Sequence, residues 1–183
     1  MAMKPAAVPT RYNLPMRAMH WVMAALIVGM IAAGFLMEDI DSPMQRAKIY
    51  GLHKSFGILI LGLAVMRVAI RAGSHTPGAA HPGTRFDRPM HLAASLAHFM
   101  LYGFMFLMPL SGWAFSNAAG YAVSFFGEWT VPTIIVKNEE ARAFFRQCHS
   151  VGAFGLCGLV AAHVIAALCH QFVWRDGLIK RMT

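Results

Sequence analysis

The sequence predicts an all-α protein, an integral membrane four-helix bundle. Two observations lead to this fold class. Hydrophobic residues make up 57% of the 183 residues and charged residues 13%, whereas about 25% of the residues in a soluble domain are charged. Long segments also contain no Asp, Glu, Lys or Arg: twenty residues after Arg17, thirty-nine after Arg88 and twenty-eight after Arg146. Since about twenty apolar residues in a helix cross a 30 Å hydrocarbon layer, each segment is long enough to span a membrane.

We expect a single domain over residues 1–183, with four helices at about 16–37, 49–71, 91–116 and 146–173. The first apolar run has no small-residue cleavage motif, which favours a mature helix over a removable signal peptide. Lys54 interrupts the second run, but it lies near one end, where its long side chain can reach the interface. In the long loop before the fourth helix, the amphipathic run from Asn138 to Gln147 predicts a short interfacial helix.

The net charge of +8 is unevenly distributed along the chain. The loop after the first helix and the loop before the fourth are balanced or acidic. Basic residues are in excess at the other three places: Lys4, Arg11, Arg17, Arg67, Arg71, Arg85, Arg88, Arg175, Lys180 and Arg181. This alternation follows the positive-inside rule and predicts that both termini are cytoplasmic (N-in/C-in). The basic excess therefore describes topology, and we expect no nucleic-acid binding.

Several histidines lie inside the predicted spans, where an ionisable side chain is costly and indicates a functional site. His149 and His163 are fourteen residues apart on the fourth helix, so they share one face and lie about 21 Å apart along the axis. With both termini inside, we expect His53 to lie at the depth of His149 near the periplasmic side. We expect His20 to lie at the depth of His163 near the cytoplasmic side.

Two imidazoles from different helices can fill both axial positions of a haem iron, so each pair is a candidate metal-ligand set. Such an iron has no vacant position for oxygen, which suits electron transfer. A porphyrin edge can lie against a helix only beside short side chains, and the residues four positions after the four histidines are Ala24, Gly57, Ala153 and Ala167. His170, seven residues after His163 on the same face, is an alternative ligand on the cytoplasmic side.

Cationic side chains near the predicted haem positions are candidates to bind the haem propionates. Arg67 and Arg71 are one turn apart at the cytoplasmic end of the second helix. Their position suits the propionates of the inner haem, and equally suits arginines that anchor a helix to lipid phosphate. Lys54, beside His53, is the candidate for the outer propionates.

Short motifs at the helix ends carry a resemblance to a known family. They are Arg17-Ala18-Met19-His20-Trp21, His53-Lys54-Ser55-Phe56-Gly57, Pro109-Leu110-Ser111-Gly112 and Ala162-His163 with His149 fourteen residues earlier. Together they extend over nearly the whole chain, which resembles the prokaryotic cytochrome b561 family. The resemblance implies four transmembrane helices and two non-covalent haem b groups, with His20, His53, His149 and His163 at the matching ligand positions. It also implies a bacterial inner-membrane, multi-pass protein that exchanges electrons with the quinone pool.

We therefore expect a di-haem b-type cytochrome, surrounded by membrane lipid, that transfers electrons between a periplasmic-side donor and quinone. One branch of the family oxidises superoxide, so an enzyme of this kind would be a superoxide:ubiquinone oxidoreductase; we assign no catalytic residue. The alternative is a haem b membrane-anchor subunit whose redox partner protein is a hydrogenase or another dehydrogenase. A third possibility is a transporter or structural membrane protein without haem, in which the histidines relay protons or pack between helices.

Overall fold

The computed structural model describes residues 11–74 and 87–183, and four long helices make up most of this part of the chain. They are α1 (Leu14–Leu36), α2 (Pro43–Ala72), α3 (Asp87–Ala118) and α4 (Glu139–Cys169). Each helix is long and apolar enough to cross a membrane, and the most apolar 18-residue stretch of each has a mean hydropathy of 2.0, 1.8, 1.5 and 2.1 in chain order. The predicted all-α fold with four membrane-spanning helices is therefore confirmed.

Three shorter helical turns follow the ends of the long helices. They are 3₁₀ turns at Met37–Asp39 and Ile179–Arg181, and a π-helical turn at His170–Trp174 that continues α4. Neighbouring helices pack in chain order, α1 on α2, α2 on α3 and α3 on α4. The interior of the bundle contains a cluster of Met23, Ile60, Ala64 and Met105. Many large apolar side chains on the outside are exposed, which fits a surface that faces lipid.

Helix α2 begins at Pro43, earlier than the predicted start at residue 49. The side chain of Ser42 accepts a hydrogen bond from the backbone N–H of Gln45, which caps the first turn. Proline also suits the first helical position, since its φ is already helical and its missing N–H needs no partner there. Hydropathy detects only the apolar part of this helix, so the prediction did not include its polar first turns, residues 43–48.

Helix α4 begins at Glu139, earlier than the predicted start at residue 146. Asn138 caps it, because its side-chain oxygen accepts from the backbone N–H of Ala141 at 2.8 Å. The separate interfacial helix predicted for Asn138–Gln147 is therefore wrong, since these residues form the N-cap and first turns of α4. Helix α3 likewise begins at Asp87 rather than at residue 91.

A small antiparallel hairpin connects α3 and α4, and the sequence did not predict it. Its strands are β1 (Val123–Phe125) and β2 (Trp129–Val131). The buried hydroxyl of Ser55, on α2, accepts a hydrogen bond from the backbone N–H of Phe126 at 3.0 Å and lies 2.9 Å from the carbonyl oxygen of Ser124. The hairpin is thus held against α2 close to His53, and we call this end of the bundle the hairpin end.

The two ends of the described chain meet at the opposite end of the bundle, which we call the termini end. The backbone N–H of Tyr12 donates to the carbonyl oxygen of Arg181 at 3.0 Å. The indole Nε1 of Trp21 donates to the carbonyl oxygen of Met182 at 2.8 Å. Lys4 and Arg85, which belong to the predicted charge pattern, lie outside the described residues. The placement of this end in the cytoplasm stays a prediction.

Candidate metal centres

His53 on α2 and His149 on α4 face each other at the hairpin end. Their ring centres are 6.3 Å apart and the ring planes are inclined by 79°. Two imidazoles on opposite sides of one metal ion have ring centres about 6.4 Å apart, from two metal–nitrogen bonds of about 2 Å and about 1.2 Å between each nitrogen and its ring centre. The spacing of this hairpin-side pair therefore leaves room for one metal ion.

His20 on α1 and His163 on α4 form a second pair at the termini end. Their ring centres are 6.4 Å apart, with the planes inclined by 60°, so the same argument applies to this termini-side pair. The ring of His98 lies only 5.5 Å from that of His163, which is shorter than the spacing of two imidazoles on opposite sides of one metal ion. The structure thus brings together both pairs expected from the sequence.

The alternative ligand His170 lies in the π-helical turn after α4. Its Nδ1 contacts the buried carboxylate of Asp176, and its ring packs edge-on against Trp174, 4.6 Å between centres. The carboxylate of Asp176 also accepts from the backbone N–H of Leu178 at 3.0 Å. His170 is therefore part of the structure that turns the chain at the end of α4, while His163 lies beside His20.

The donor atoms of these sites fit a haem better than a bare metal ion. Within residues 11–74 and 87–183, no group of three or more His, Cys, Asp or Glu side chains is arranged to hold a metal. A structural zinc ion needs four protein ligands, and each site offers two imidazoles. A haem iron receives its other four ligands from the porphyrin, so two histidines complete it. The pair of imidazoles at each end is compatible with the two protein ligands that a haem iron can take.

The ring of His149 lies against α3, next to Ser111 and Gly112. Its Nδ1 lies 3.1 Å from the hydroxyl of Ser111, and that hydroxyl lies 3.0 Å from the carbonyl oxygen of Met108. A Cβ atom at Gly112 would lie 3.0 Å from Cε1 of the ring, so a larger residue here requires the ring or α3 to shift by a few tenths of an ångström. Ser111 and Gly112 belong to the Pro109-Leu110-Ser111-Gly112 motif, whose sequence alone indicated no role for them.

Among the described residues, His53 lacks a polar contact like the one between His149 and Ser111. Its Nδ1 is buried and has no hydrogen-bond partner among the described residues. Buried polar atoms without a partner are rare in folded proteins, and each one calls for an explanation. A group that binds in the adjoining cavity and pairs with this nitrogen is one such explanation.

A cavity of about 470 Å³ surrounds the hairpin-side pair. Its volume lies in the range of about 300–1,000 Å³ that is usual for sites of small molecules and cofactors. Apolar side chains of all four helices line most of it, together with the predicted small residues Gly57 and Ala153. Lys54 provides a cation at the edge, where its Nζ lies 3.5 Å from the hydroxyl of Ser116. The lining suits a largely apolar group whose acidic substituents lie near Lys54 and Arg142.

Arg67 is the cation nearest the termini-side pair and is only 9% exposed. Its Nη2 lies 3.1 Å from Nδ1 of His20, and its Nε donates to the hydroxyl of Tyr102 at 3.3 Å. Among the described residues, no carboxylate forms an ion pair with it. A buried charge without a counter-charge costs several kcal/mol, so the site calls for an anion. Arg71, one turn further along α2, is exposed.

Comparison with known proteins agrees with this geometry. The family model described as prokaryotic cytochrome b561 matches residues 11–183. The chain is 33% identical to cytochrome b561 homolog 2 of Escherichia coli (strain K12), over 95% of this chain and 92% of that protein. It is 32% identical to cytochrome b561 homolog 1 of the same organism, over 71% and 72%. It is 24% identical to the probable superoxide oxidase CybB of Yersinia pestis, over 94% and 95%. The chain therefore belongs to the prokaryotic cytochrome b561 family, whose members are membrane electron-transfer proteins with b-type haem.

Proposed function

We propose that this protein is a di-haem b-type cytochrome that moves electrons across the bacterial inner membrane, from a donor on the periplasmic side to the quinone pool. The observation that carries the proposal is the presence of two histidine pairs, with ring centres 6.3 and 6.4 Å apart, at opposite ends of one bundle. Both pairs use α4, and each takes its second histidine from a different helix. One helix thus contributes to both centres.

The four histidines are the proposed iron ligands, His53 with His149 and His20 with His163. When bound, the two haems would supply one-electron oxidation and reduction at irons whose axial positions are both filled. The two histidines of α4 are fourteen positions apart, which separates the centres by about 21 Å along the helix. This arrangement provides one redox centre near each membrane surface.

Arg67 is the proposed partner of the termini-side propionates. Every N–H of a guanidinium is a donor, so His20 accepts through an unprotonated Nδ1 in the present contact. With Nε2 of His20 as the ligand of a bound haem, a neutral ring would carry its proton on Nδ1 and could no longer accept from Arg67. The guanidinium is then free to form charge-assisted hydrogen bonds with a propionate. Arg71 is the proposed second cation at this end.

Lys54 is the proposed partner of the hairpin-side propionates, since it lines the cavity that contains His53 and His149. The positive-inside pattern places this end of the bundle on the periplasmic side in our proposal. Lys54 and Arg142, which also lines the cavity, would there attract a small anion.

Superoxide is the proposed donor, on the basis of the relative in Yersinia pestis that is named a probable superoxide oxidase. Each superoxide ion gives up one electron and becomes dioxygen. Quinone takes up two electrons and two protons and becomes quinol, so two superoxide ions are consumed for each quinone. The residues named here bind and orient the haems, and the cations attract the anionic donor.

The experiment exposes the purified protein to enzymatically generated superoxide and follows the reduced haem band, with and without a soluble ubiquinone. We expect haem reduction that superoxide dismutase abolishes, and two superoxide ions consumed per quinol formed. Lys54→Gln with Arg142→Gln should slow the reduction and weaken its dependence on salt, whereas Lys180→Gln, near the termini end, should change neither. Haem that accepts electrons only from a co-purifying dehydrogenase would contradict this donor and favour the membrane-anchor alternative.

A further inference from the structure

The hydroxyl of Ser111 lies between two polar atoms in a buried position of α3. Ser111 is 4% exposed, and its Oγ is 3.0 Å from the carbonyl oxygen of Met108 and 3.1 Å from Nδ1 of His149. A carbonyl oxygen accepts hydrogen bonds and never donates, while a hydroxyl has a single proton. When Ser111 donates to Met108, it presents a lone pair to His149, and the ring nitrogen opposite must carry the proton.

This hydrogen bond determines which nitrogen of His149 can bind iron. A neutral imidazole has one N–H, so a proton on Nδ1 leaves the lone pair on Nε2. Histidines that bind metals usually donate their second ring N–H to a nearby acceptor, which fixes the tautomer and the orientation of the ring. The other rotamer of the hydroxyl would donate to Nδ1 and keep the proton on Nε2, where it would block coordination.

Two other candidate iron ligands, His53 and His20, have no hydrogen-bond acceptor at Nδ1 among the described residues. Nδ1 of His53 is buried and has no hydrogen-bond partner among the described residues. Nδ1 of His20 faces the guanidinium of Arg67, which can only donate. Of these three histidines, His149 is therefore the one whose surroundings already select the tautomer that coordinates through Nε2.

We propose that Ser111 is a positioning residue for the hairpin-side haem: it holds His149 as an Nδ1–H tautomer with Nε2 directed at the iron. The proposal rests on the assignment of His149 as an iron ligand. A hydrogen bond from Nδ1–H to Oγ makes the imidazole a stronger electron donor, and a stronger donor favours oxidised iron. Ser111 therefore lowers the midpoint potential of one haem and leaves the other unaffected.

The test compares Ser111→Ala with Ser111→Thr, which keeps a hydroxyl, and with Ser74→Ala as the matched control. Ser74 also donates to a helical carbonyl, that of Ile70, and it lies at the other end of the bundle. The readouts are a redox titration of both haems and the electron paramagnetic resonance spectrum of the oxidised protein. His53→Ala identifies the hairpin-side haem by its loss.

We expect Ser111→Ala to shift the ratio of reduced to oxidised hairpin-side haem about two- to tenfold towards reduced at fixed ambient potential. A tenfold shift corresponds to about 59 mV for a one-electron couple. The low-spin ferric signal of the same haem should change, Ser111→Thr should restore both properties, and Ser74→Ala should leave them as in the wild type. Selective loss of this haem in Ser111→Ala, recovered in Ser111→Thr, would also support the proposal.

Other outcomes separate this inference from the proposed function. Two haems with unchanged potentials and signals in Ser111→Ala would overturn the inference and leave the proposed function standing. Equal changes in both haems, or the same change in Ser111→Thr as in Ser111→Ala, would indicate a packing role and would also overturn it. A wild-type protein that binds no haem would refute both the inference and the proposed function.

Discussion

Replacing Gly112 by alanine probes how closely α3 approaches His149. The added Cβ would lie 3.0 Å from Cε1 and 3.3 Å from Nδ1 of the ring. Carbon atoms in good contact are about 3.5–4.0 Å apart, so the ring or α3 has to move by a few tenths of an ångström. The ring cannot slide away freely, because its Nδ1 is also held by the hydroxyl of Ser111. The displacement should therefore tilt the imidazole out of the position that coordination requires.

The expected size of this effect follows from two opposing contributions. Overpacking a buried contact costs about 1–3 kcal/mol. Alanine in place of glycine favours a helix by about 1 kcal/mol, which offsets part of that cost in overall stability. The strain itself falls on His149 and therefore on the haem proposed to bind there. We expect Gly112→Ala to fold, and to bind the hairpin-side haem about five- to 150-fold more weakly.

The assay measures haem per chain and the reduced-minus-oxidised spectrum of the purified variants during stepwise dilution. Gly103→Ala on the same helix is the control, since a Cβ there meets no atom within 4 Å. Gly34→Ala is a second control, because its Cβ would lie at an ordinary 3.6 Å from Cε1 of His53. Both controls should keep two haems. If Gly112→Ala retained both haems with wild-type affinity and spectrum, the contact between α3 and His149 would not matter for coordination.

Three further predictions address other parts of the site. Ser55→Ala should loosen the hairpin, because the buried groups left unpaired cost about 1–3 kcal/mol of stability. Hydrogen exchange of the strand amides should then accelerate, and unchanged exchange would show that other contacts hold the hairpin. Arg67→Gln should release the termini-side haem more readily than Arg71→Gln, because Arg67 is buried and Arg71 is exposed; equal haem retention in the two variants would contradict the assigned roles. His170→Ala should keep both haems and, by losing its contact with Asp176, lower the melting temperature by about 2–4 °C per kcal/mol lost; loss of a haem would make His170 a ligand.

Hydropathy and helical periodicity were sufficient to predict the four helices and the two histidine pairs. Segments without charge show which residues can lie in lipid, and the fourteen-residue spacing of His149 and His163 already places two imidazoles on one face. The helix starts were less accurate, because α2 and α4 begin with capped polar turns that hydropathy does not detect. The hairpin was missed because strands of three residues are too short to show a recognisable alternation.

The details of each site depend on contacts between distant parts of the chain. Ser111 and His149 are 38 positions apart, and their contact arises only when α3 packs against α4. Arg67 and Arg71 are one turn apart at the same end of α2. The sequence therefore could not decide, for either arginine, between binding a propionate and anchoring the helix to lipid. The structure distinguishes them by burial, since Arg67 lies beside His20 and Arg71 is exposed.

Haem content in single histidine-to-alanine variants tests most directly whether two histidine pairs hold two haems. We predict a b-type spectrum with two haems per chain in the wild type. Variants of His53 and His149 should lose one and the same haem, and variants of His20 and His163 should lose the other. A wild-type protein that is colourless when supplied with haem, or a His163→Ala variant that keeps both haems, would contradict the account.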